Sequence, residues 1–304
     1  MIYDSIIIGS GPAGLTAAIY ASRKKMNVLI LAKEKGGQFS LVYDIENYPG
    51  FLKITGLELI GRIEEQVKKY GVEIKKSEVE NIKKAGSHFS VTTGKENFEA
   101  KTVIIASGRT PKELNVAGAE EFQNRGVSFC ATCDAPVFFG KDVAIIGGGN
   151  SSLKSALDLL PYANKIYLLQ HRGKFIGDEE TIEKLKKSGK ATFLVNAEIR
   201  EIRGKKLVES LIYEDLITKK QKELTVGGLF VNIGQSPNAD FAENFLEIND
   251  KGEIVIEPAT NKTSKDGVFA AGDVTNIPYK QYIVAAGEGA KAALSAHEYL
   301  LKNT

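Results

Sequence analysis

Short apolar runs, glycine-rich turns and helix-forming stretches succeed one another along the chain, and their order repeats. Ser5-Ile6-Ile7-Ile8 is a β-branched run of the kind buried on both faces of a parallel sheet. Gly9-Ser10-Gly11-Pro12-Ala13-Gly14 follows, and Leu15-Thr16-Ala17-Ala18-Ile19-Tyr20-Ala21 then favours a helix. A second strand is predicted at Asn27-Val28-Leu29-Ile30-Leu31. The order restarts with a strand at Asp142-Val143-Ala144-Ile145-Ile146, the loop Gly147-Gly148-Gly149-Asn150-Ser151-Ser152, a helix over 153–160 and a strand at Lys165-Ile166-Tyr167-Leu168-Leu169. Near the end, 267–274 reads as a strand closing on Gly-Asp, and 285–301 as an alanine-rich helix. Prolines interrupt strand-like segments at Arg109-Thr110-Pro111 and Ser236-Pro237-Asn238, which are candidate hinges.

Each glycine loop sits where a dinucleotide fingerprint has to sit, after a strand and before a helix. Gly9 permits the tight turn, Gly11 lets the backbone approach a pyrophosphate, and Gly14 lets the helix pack close to the strand. Glu34, twenty residues after Gly14, stands where a ribose-binding acid is expected, although a surface glutamate fits there as well. The second loop keeps Gly147 and Gly149 and has Ser152 in place of the third small residue. The fold class expected is α/β, with two Rossmann-like dinucleotide-binding domains, the second inserted into the first. The expected spans are 1–112 and 240–304 for the outer domain and 113–239 for the inserted one.

The 304 residues suit two domains, and 43% hydrophobic with 26% charged residues is the composition of a globular enzyme. A net charge of +2 gives no reason to expect nucleic acid or an acidic membrane as partner. Neither a membrane-spanning run nor a signal peptide is expected. All the cysteine lies in Cys130-Ala131-Thr132-Cys133-Asp134, a spacing that closes into a small reducible ring and suits cytoplasmic redox chemistry. Zinc would need four ligands, and His88, His171 and His297 supply no second pair, so no metal is expected. Asp134 directly after the second sulfur is a candidate proton carrier, or the cap of a turn.

Taken jointly and in this order, several motifs resemble the low-molecular-weight thioredoxin reductases, which are flavoprotein disulfide reductases. They are Gly9 to Gly14, Glu34-Lys35-Gly36-Gly37-Gln38, Glu46-Asn47-Tyr48-Pro49-Gly50, the cysteine pentapeptide, Gly147-Gly148-Gly149-Asn150-Ser151 and Gly272-Asp273-Val274. The resemblance covers nearly the whole chain. It implies FAD held by Gly9, Ser10, Gly11, Pro12, Ala13, Gly14, Glu34, Lys35, Gly36, Gly37, Gln38, Asn47 and Val79, with Gly272, Asp273, Val274, Lys280, Gln281 and Tyr282 near the flavin ring. Lys280 stands where the family usually has arginine, so the charge stays and the planar fork is lost. The resemblance further implies that Cys133 faces the flavin, that Cys130 attacks the disulfide of a thioredoxin, and that Asp134 moves the proton. A homodimer is also implied.

The donor side departs from the family pattern. Gly147, Gly149, Asn150, Ser151 and Ser152 would take a pyridine nucleotide, but the family's arginine-rich clamp for the 2′-phosphate is reduced here to His171-Arg172-Gly173-Lys174. NADPH is the leading expectation, with NADH and reduced ferredoxin as alternative donors. A dithiol oxidase of the same fold and a flavin-bearing redox sensor are the competing functions. Hydroperoxide-system relatives carry an additional N-terminal thiol domain, so that reading is disfavoured.

Overall fold

The computed structural model describes residues 1–42, 45–94 and 96–303. The chain divides into two compact units, Met1–Thr110 with Gln235–Thr304, and Pro111–Gly234. The crossings therefore lie at 110/111 and 234/235, ahead of the positions after 112 and 239 expected above.

In chain order the elements begin with β1 (Ile2–Ser10), α1 (Pro12–Arg23), β2 (Val28–Lys35), a 3-10 turn (Gly37–Leu41), α2 (Gly56–Lys69), β3 (Glu73–Lys76), β4 (Val79–Ala85), β5 (His88–Thr93) and β6 (Asn97–Ile105). β7 (Arg109–Pro111) leads to β8 (Val127–Ser128), α3 (Ala131–Asp134), β9 (Asp142–Ile146), α4 (Asn150–Leu159) and β10 (Lys165–Gln170). α5 (Glu179–Lys187), β11 (Ala191–Val195), β12 (Ala197–Gly204), β13 (Val208–Asp215), β14 (Gln221–Thr225) and β15 (Gly228–Val231) complete the second unit. The chain returns through β16 (Gln235–Pro237), β17 (Val268–Ala270) and α6 (Tyr282–Asn303).

The first unit is built on a sheet of order β3-β2-β1-β6-β5-β4, with β17 also on β6. β6 serves three partners because it is long. Its first half pairs antiparallel with β5 (Ser90↔Glu99), whereas Val103, Ile104 and Ile105 pair parallel with β17. Parallel pairing of Ile7 with Ile30 and Ile104 sets the central register. Ile6, Ile8, Leu29, Leu31, Val103 and Ile105 enter one apolar core, while Ile7, Ile30 and Ile104 enter the other. That two-sided burial is why these strands read as unbroken apolar runs. The second unit repeats the plan with a parallel sheet β11-β10-β9-β15-β8 and an antiparallel meander β12-β13-β14. Val143 and Ile145 face one core there and Ala144 and Ile146 the other.

Two local expectations are corrected. The proline segments are short strands rather than interruptions, since β7 and β16 pair with each other. Asn238 clamps that crossing, donating from Nδ2 to Ser107 O at 2.9 Å and accepting from Thr110 Oγ1 at 2.9 Å. The strand expected over 267–274 stops at Ala270, because Gly272 takes φ +77° and turns Gly272–Val274 into a 3-10 turn.

Candidate active site

The first unit carries a cradle at the end of β1. Gly9 has φ +110°, and a side chain there would come 2.2 Å from Ala106 O. A Cβ on Gly14 would stand 2.0 Å from Gly9 O, so only glycine lets α1 sit this close to the strand. Above Gly11 the space is open, with Gly36 O as the one neighbour, at 3.9 Å. Thr55 caps α2 and Asp178 caps α5, but α1 begins at Gly11 with no side-chain cap. An uncapped helix start under a glycine turn is the arrangement that accepts an anion.

Other segments of the first unit pack against this cradle or against one another beside it. Ser10 Oγ donates to Glu34 O at 3.0 Å and accepts from Gly36 N at 3.2 Å, tying the loop to the end of β2. Glu34 is exposed there, and Lys35 forms an ion pair at 2.8 Å with the nearly buried Glu64. A side chain on Gly272 would come 3.0 Å from Ala13 Cβ, which places the Gly272–Val274 turn against the first turn of α1. Asn47 Nδ2 donates to Gln281 Oε1 at 3.3 Å across 234 residues of sequence, and the ring of Phe39 meets that of Tyr282 edge-on at 3.9 Å. Gln38, in the 3-10 turn Gly37–Leu41, donates from Nε2 to Arg109 O. The side chain of Val79 belongs to the same apolar core as Ile8 and Leu31, which leaves its backbone as the part that a ligand could reach.

A buried charge cluster lies along the same rim, and the sequence signalled only half of it. Arg109 donates from Nε to Asp273 O at 2.8 Å and pairs through its guanidinium with Glu253; their side chains are 14% and 10% exposed. Lys280 Nζ lies 3.5 Å from Glu253 and bonds Thr275 O. Burial pushes the Asp273 carboxyl up from its ordinary value, against the pull of Lys280 and Arg109. Burial, then repulsion from Arg109, brings the Lys280 ammonium down, while Glu253 and Asp273 oppose the change. Nothing in the sequence around Glu253 points to this role, though Arg109 belongs to the candidate hinge Arg109-Thr110-Pro111.

In the second unit Cys130 and Cys133 form a disulfide with Cα atoms 5.3 Å apart. Cys130 starts the single turn α3, accepting on its carbonyl from Cys133 N at 3.2 Å and from Asp134 N at 3.0 Å. The Cys133 amide also points at Cys130 Sγ, 3.2 Å away. Thr132 Oγ1 inside the ring donates to Asp158 Oδ2 on α4 at 2.8 Å. Asp134, half-buried, accepts from Ser128 Oγ at 2.5 Å, and Ser128 in turn accepts from Cys130 N at 3.1 Å.

The second glycine loop repeats the first. Gly147 has φ +138°, and a Cβ there would stand 2.4 Å from Asn232 O and 2.5 Å from Ser152 Oγ. Gly149 faces open space and starts α4 without a side-chain cap. Asn150, Ser151 and Ser152 form the first turn of α4, not loop as expected. Ser152 Oγ and Asn232 Oδ1 are buried with no hydrogen-bond partner among the described residues, which fits a polar ligand at this loop. Asn150 Oδ1 accepts from Asp178 N at 2.8 Å, and Ile176 N donates to Gly148 O at 2.8 Å, so the segment after β10 is tied back to the loop. On that segment His171, Arg172 and Lys174 are exposed, and so is Ile176 at 56%. Among the described residues no group of three or more His, Cys, Asp or Glu could hold a metal ion.

The family model described as pyridine nucleotide-disulphide oxidoreductase matches residues 3–289. Thioredoxin reductase of Mycolicibacterium smegmatis is 37% identical, over 98% of this chain and 97% of that protein. The crystal structure of thioredoxin reductase from Streptococcus pyogenes is similar with a TM-score of 0.94 at 34% identity, covering 99% of each chain. An alkyl hydroperoxide reductase component of Pseudomonas putida is 38% identical over 99% of this chain, which spans 59% of that protein's length. The chain belongs to the pyridine nucleotide-disulphide oxidoreductase family, and within it to the low-molecular-weight thioredoxin reductases.

Proposed function

We propose that this protein is an FAD-dependent thioredoxin-disulfide reductase, working in the cytoplasm as a homodimer. The observation that carries the reading is the Cys130–Cys133 disulfide in a chain that also holds two uncapped glycine-loop helix starts. FAD fits the first cradle: Gly9, Gly11, Pro12, Ala13 and Gly14 would hold its pyrophosphate, Glu34 its ribose, and the turn Gly272–Val274 with Asn47, Lys280, Gln281 and Tyr282 the remainder. Bound there, the flavin supplies a two-electron carrier between a hydride donor and a dithiol.

The chain's own residues then perform the exchange with the substrate. Cys130 Sγ attacks as thiolate, helped by the Cys133 amide that points at it. A bond forms between Cys130 and one sulfur of the thioredoxin disulfide; that disulfide breaks, and the departing sulfur takes a proton from Asp134. Cys133 next attacks Cys130 Sγ, re-forming the ring and expelling the second sulfur, which takes the proton Cys133 gave up. Two electrons and two protons pass to thioredoxin.

For the donor, the reading is a pyridine nucleotide at Gly147–Gly149, with NADPH first. Arg172 and Lys174, both exposed on the segment after β10, are the cations this reading assigns to a 2′-phosphate. The expected result for Arg172→Ala is a KM for NADPH raised roughly tenfold, with the KM for NADH unchanged, because one charge-assisted contact is lost. Unchanged KM values for both nucleotides would remove Arg172 from the clamp. The reduced clamp, with Arg172 as its one arginine in His171-Arg172-Gly173-Lys174, favours a second reading, in which NADH or reduced ferredoxin is the donor. Anaerobic bleaching of the flavin by the three donors in parallel decides between them. Turnover of thioredoxin disulfide by the donor that bleaches fastest tests the function itself. Rapid oxygen consumption on a small dithiol, with no thioredoxin turnover, would replace the reductase by an oxidase.

A further inference from the structure

Ser128 was not singled out by its position in the sequence, yet it touches both ends of the redox motif. It closes the two-residue strand β8, which pairs Ser128 with Phe230 of β15. The strand fixes its backbone, and only 7% of the residue is exposed. Its hydroxyl oxygen accepts from Cys130 N at 3.1 Å while its proton goes to Asp134 Oδ2 at 2.5 Å. One buried atom therefore joins the first residue of the disulfide ring to the acid that follows it.

We propose that Ser128 is a positioning residue for proton transfer at the redox ring, holding Asp134 in a fixed place relative to Cys130 in both of its protonation states. The inference rests on the reading that Cys130 and Cys133 exchange with a substrate disulfide and that Asp134 carries the proton. A hydroxyl suits the task because it is both donor and acceptor. Toward the carboxylate it donates; toward the protonated acid it turns its O–H aside and accepts on a lone pair. The bond from Cys130 N uses the other lone pair and survives the change. Asp134 can thus gain and lose a proton without moving away from the ring. A carbonyl or a lysine in the same place could serve one state only.

Removing the hydroxyl withdraws a donor from the carboxylate, and a carboxylate deprived of a hydrogen bond holds its proton more tightly. The test is the pH dependence of single-turnover exchange between the pre-reduced holoenzyme and thioredoxin disulfide, for the wild type, Ser128→Ala, Asp134→Asn and the double variant. Ser128→Ala is expected to slow exchange roughly tenfold at neutral pH and to move the midpoint assigned to Asp134 upward by about one unit. Ser128→Thr, which keeps the hydroxyl, should restore the wild-type midpoint. In the Asp134→Asn background the Ser128→Ala change should add little, since the two act as one unit. A wild-type midpoint in Ser128→Ala, with Asp134→Asn still impaired, overturns the inference and leaves the function standing. An unimpaired Asp134→Asn overturns the reading beneath it. Thermal unfolding of each variant separates both outcomes from a folding defect.

Discussion

Cys130→Ser and Cys133→Ser each reduce steady-state thioredoxin turnover by at least about 10³-fold, as expected when one member of a unit that acts together is removed. The two variants are nevertheless not equivalent. Cys133→Ser keeps the sulfur that the Cys133 amide faces and lacks the one that resolves the intermediate. Mixed with thioredoxin disulfide, it should accumulate a covalent enzyme–thioredoxin adduct visible on a non-reducing gel and released by dithiothreitol. Cys130→Ser should accumulate none. The asymmetry follows from the local geometry: Cys130 begins α3 and receives the amide, whereas Cys133 lies within the turn. Adduct formation by Cys130→Ser alone would exchange the two roles. Undiminished turnover in both variants would remove the pair from the mechanism.

Gly14→Ala is the second substitution with a large expected effect, although it adds one methyl group. The added Cβ would stand 2.0 Å from Gly9 O and 2.9 Å from Gly9 C, both rigid backbone atoms of the tight turn. Relief requires α1 to move off β1. That movement also disturbs its contact with α6, where a Cβ on Gly289 would already lie 2.0 Å from Ala13 O. The expected cost is about 3 kcal/mol, the upper range for overpacking, with loss of bound FAD because the helix start leaves the cradle. Urea midpoints and the flavin-to-protein absorbance ratio measure the two effects. Gly61→Ala is the control. It lies in α2, meets nothing within 4 Å and should leave stability unchanged or raise it by up to about 1 kcal/mol. Wild-type stability and flavin content in Gly14→Ala would show that close packing at this turn does not limit the site.

The features behind these two predictions were legible in the sequence because each is local. A CxxC ring is closed by residues three apart, and the requirement for glycine at 9 and 14 follows from a turn six residues long. The repeated strand, glycine loop and helix were legible for the same reason, and β9 falls on the expected residues, 142–146. The sequence misleads where a local signal has two readings. Pro111 and Pro237 looked like breaks, but a proline is accommodated in a short strand at an edge, and β7 and β16 pair there. The Gly-Asp end of the strand at 267–274 depended on one backbone angle, that of Gly272, which the apolar pattern does not encode.

The sequence alone determined the two glycine-loop units, the identity of the redox ring and the acid beside it, since turn chemistry and periodicity act over a few residues. Only the tertiary structure decided which distant groups meet: Asn47 with Gln281, Arg109 with Glu253 and the Asp273 carbonyl, Gln38 with Arg109. It also decided that Ser128, an ordinary serine in sequence, stands between Cys130 and Asp134. Those contacts depend on strand register and on the burial that makes an unpaired polar group costly. Neither is set by residues that are neighbours in the chain.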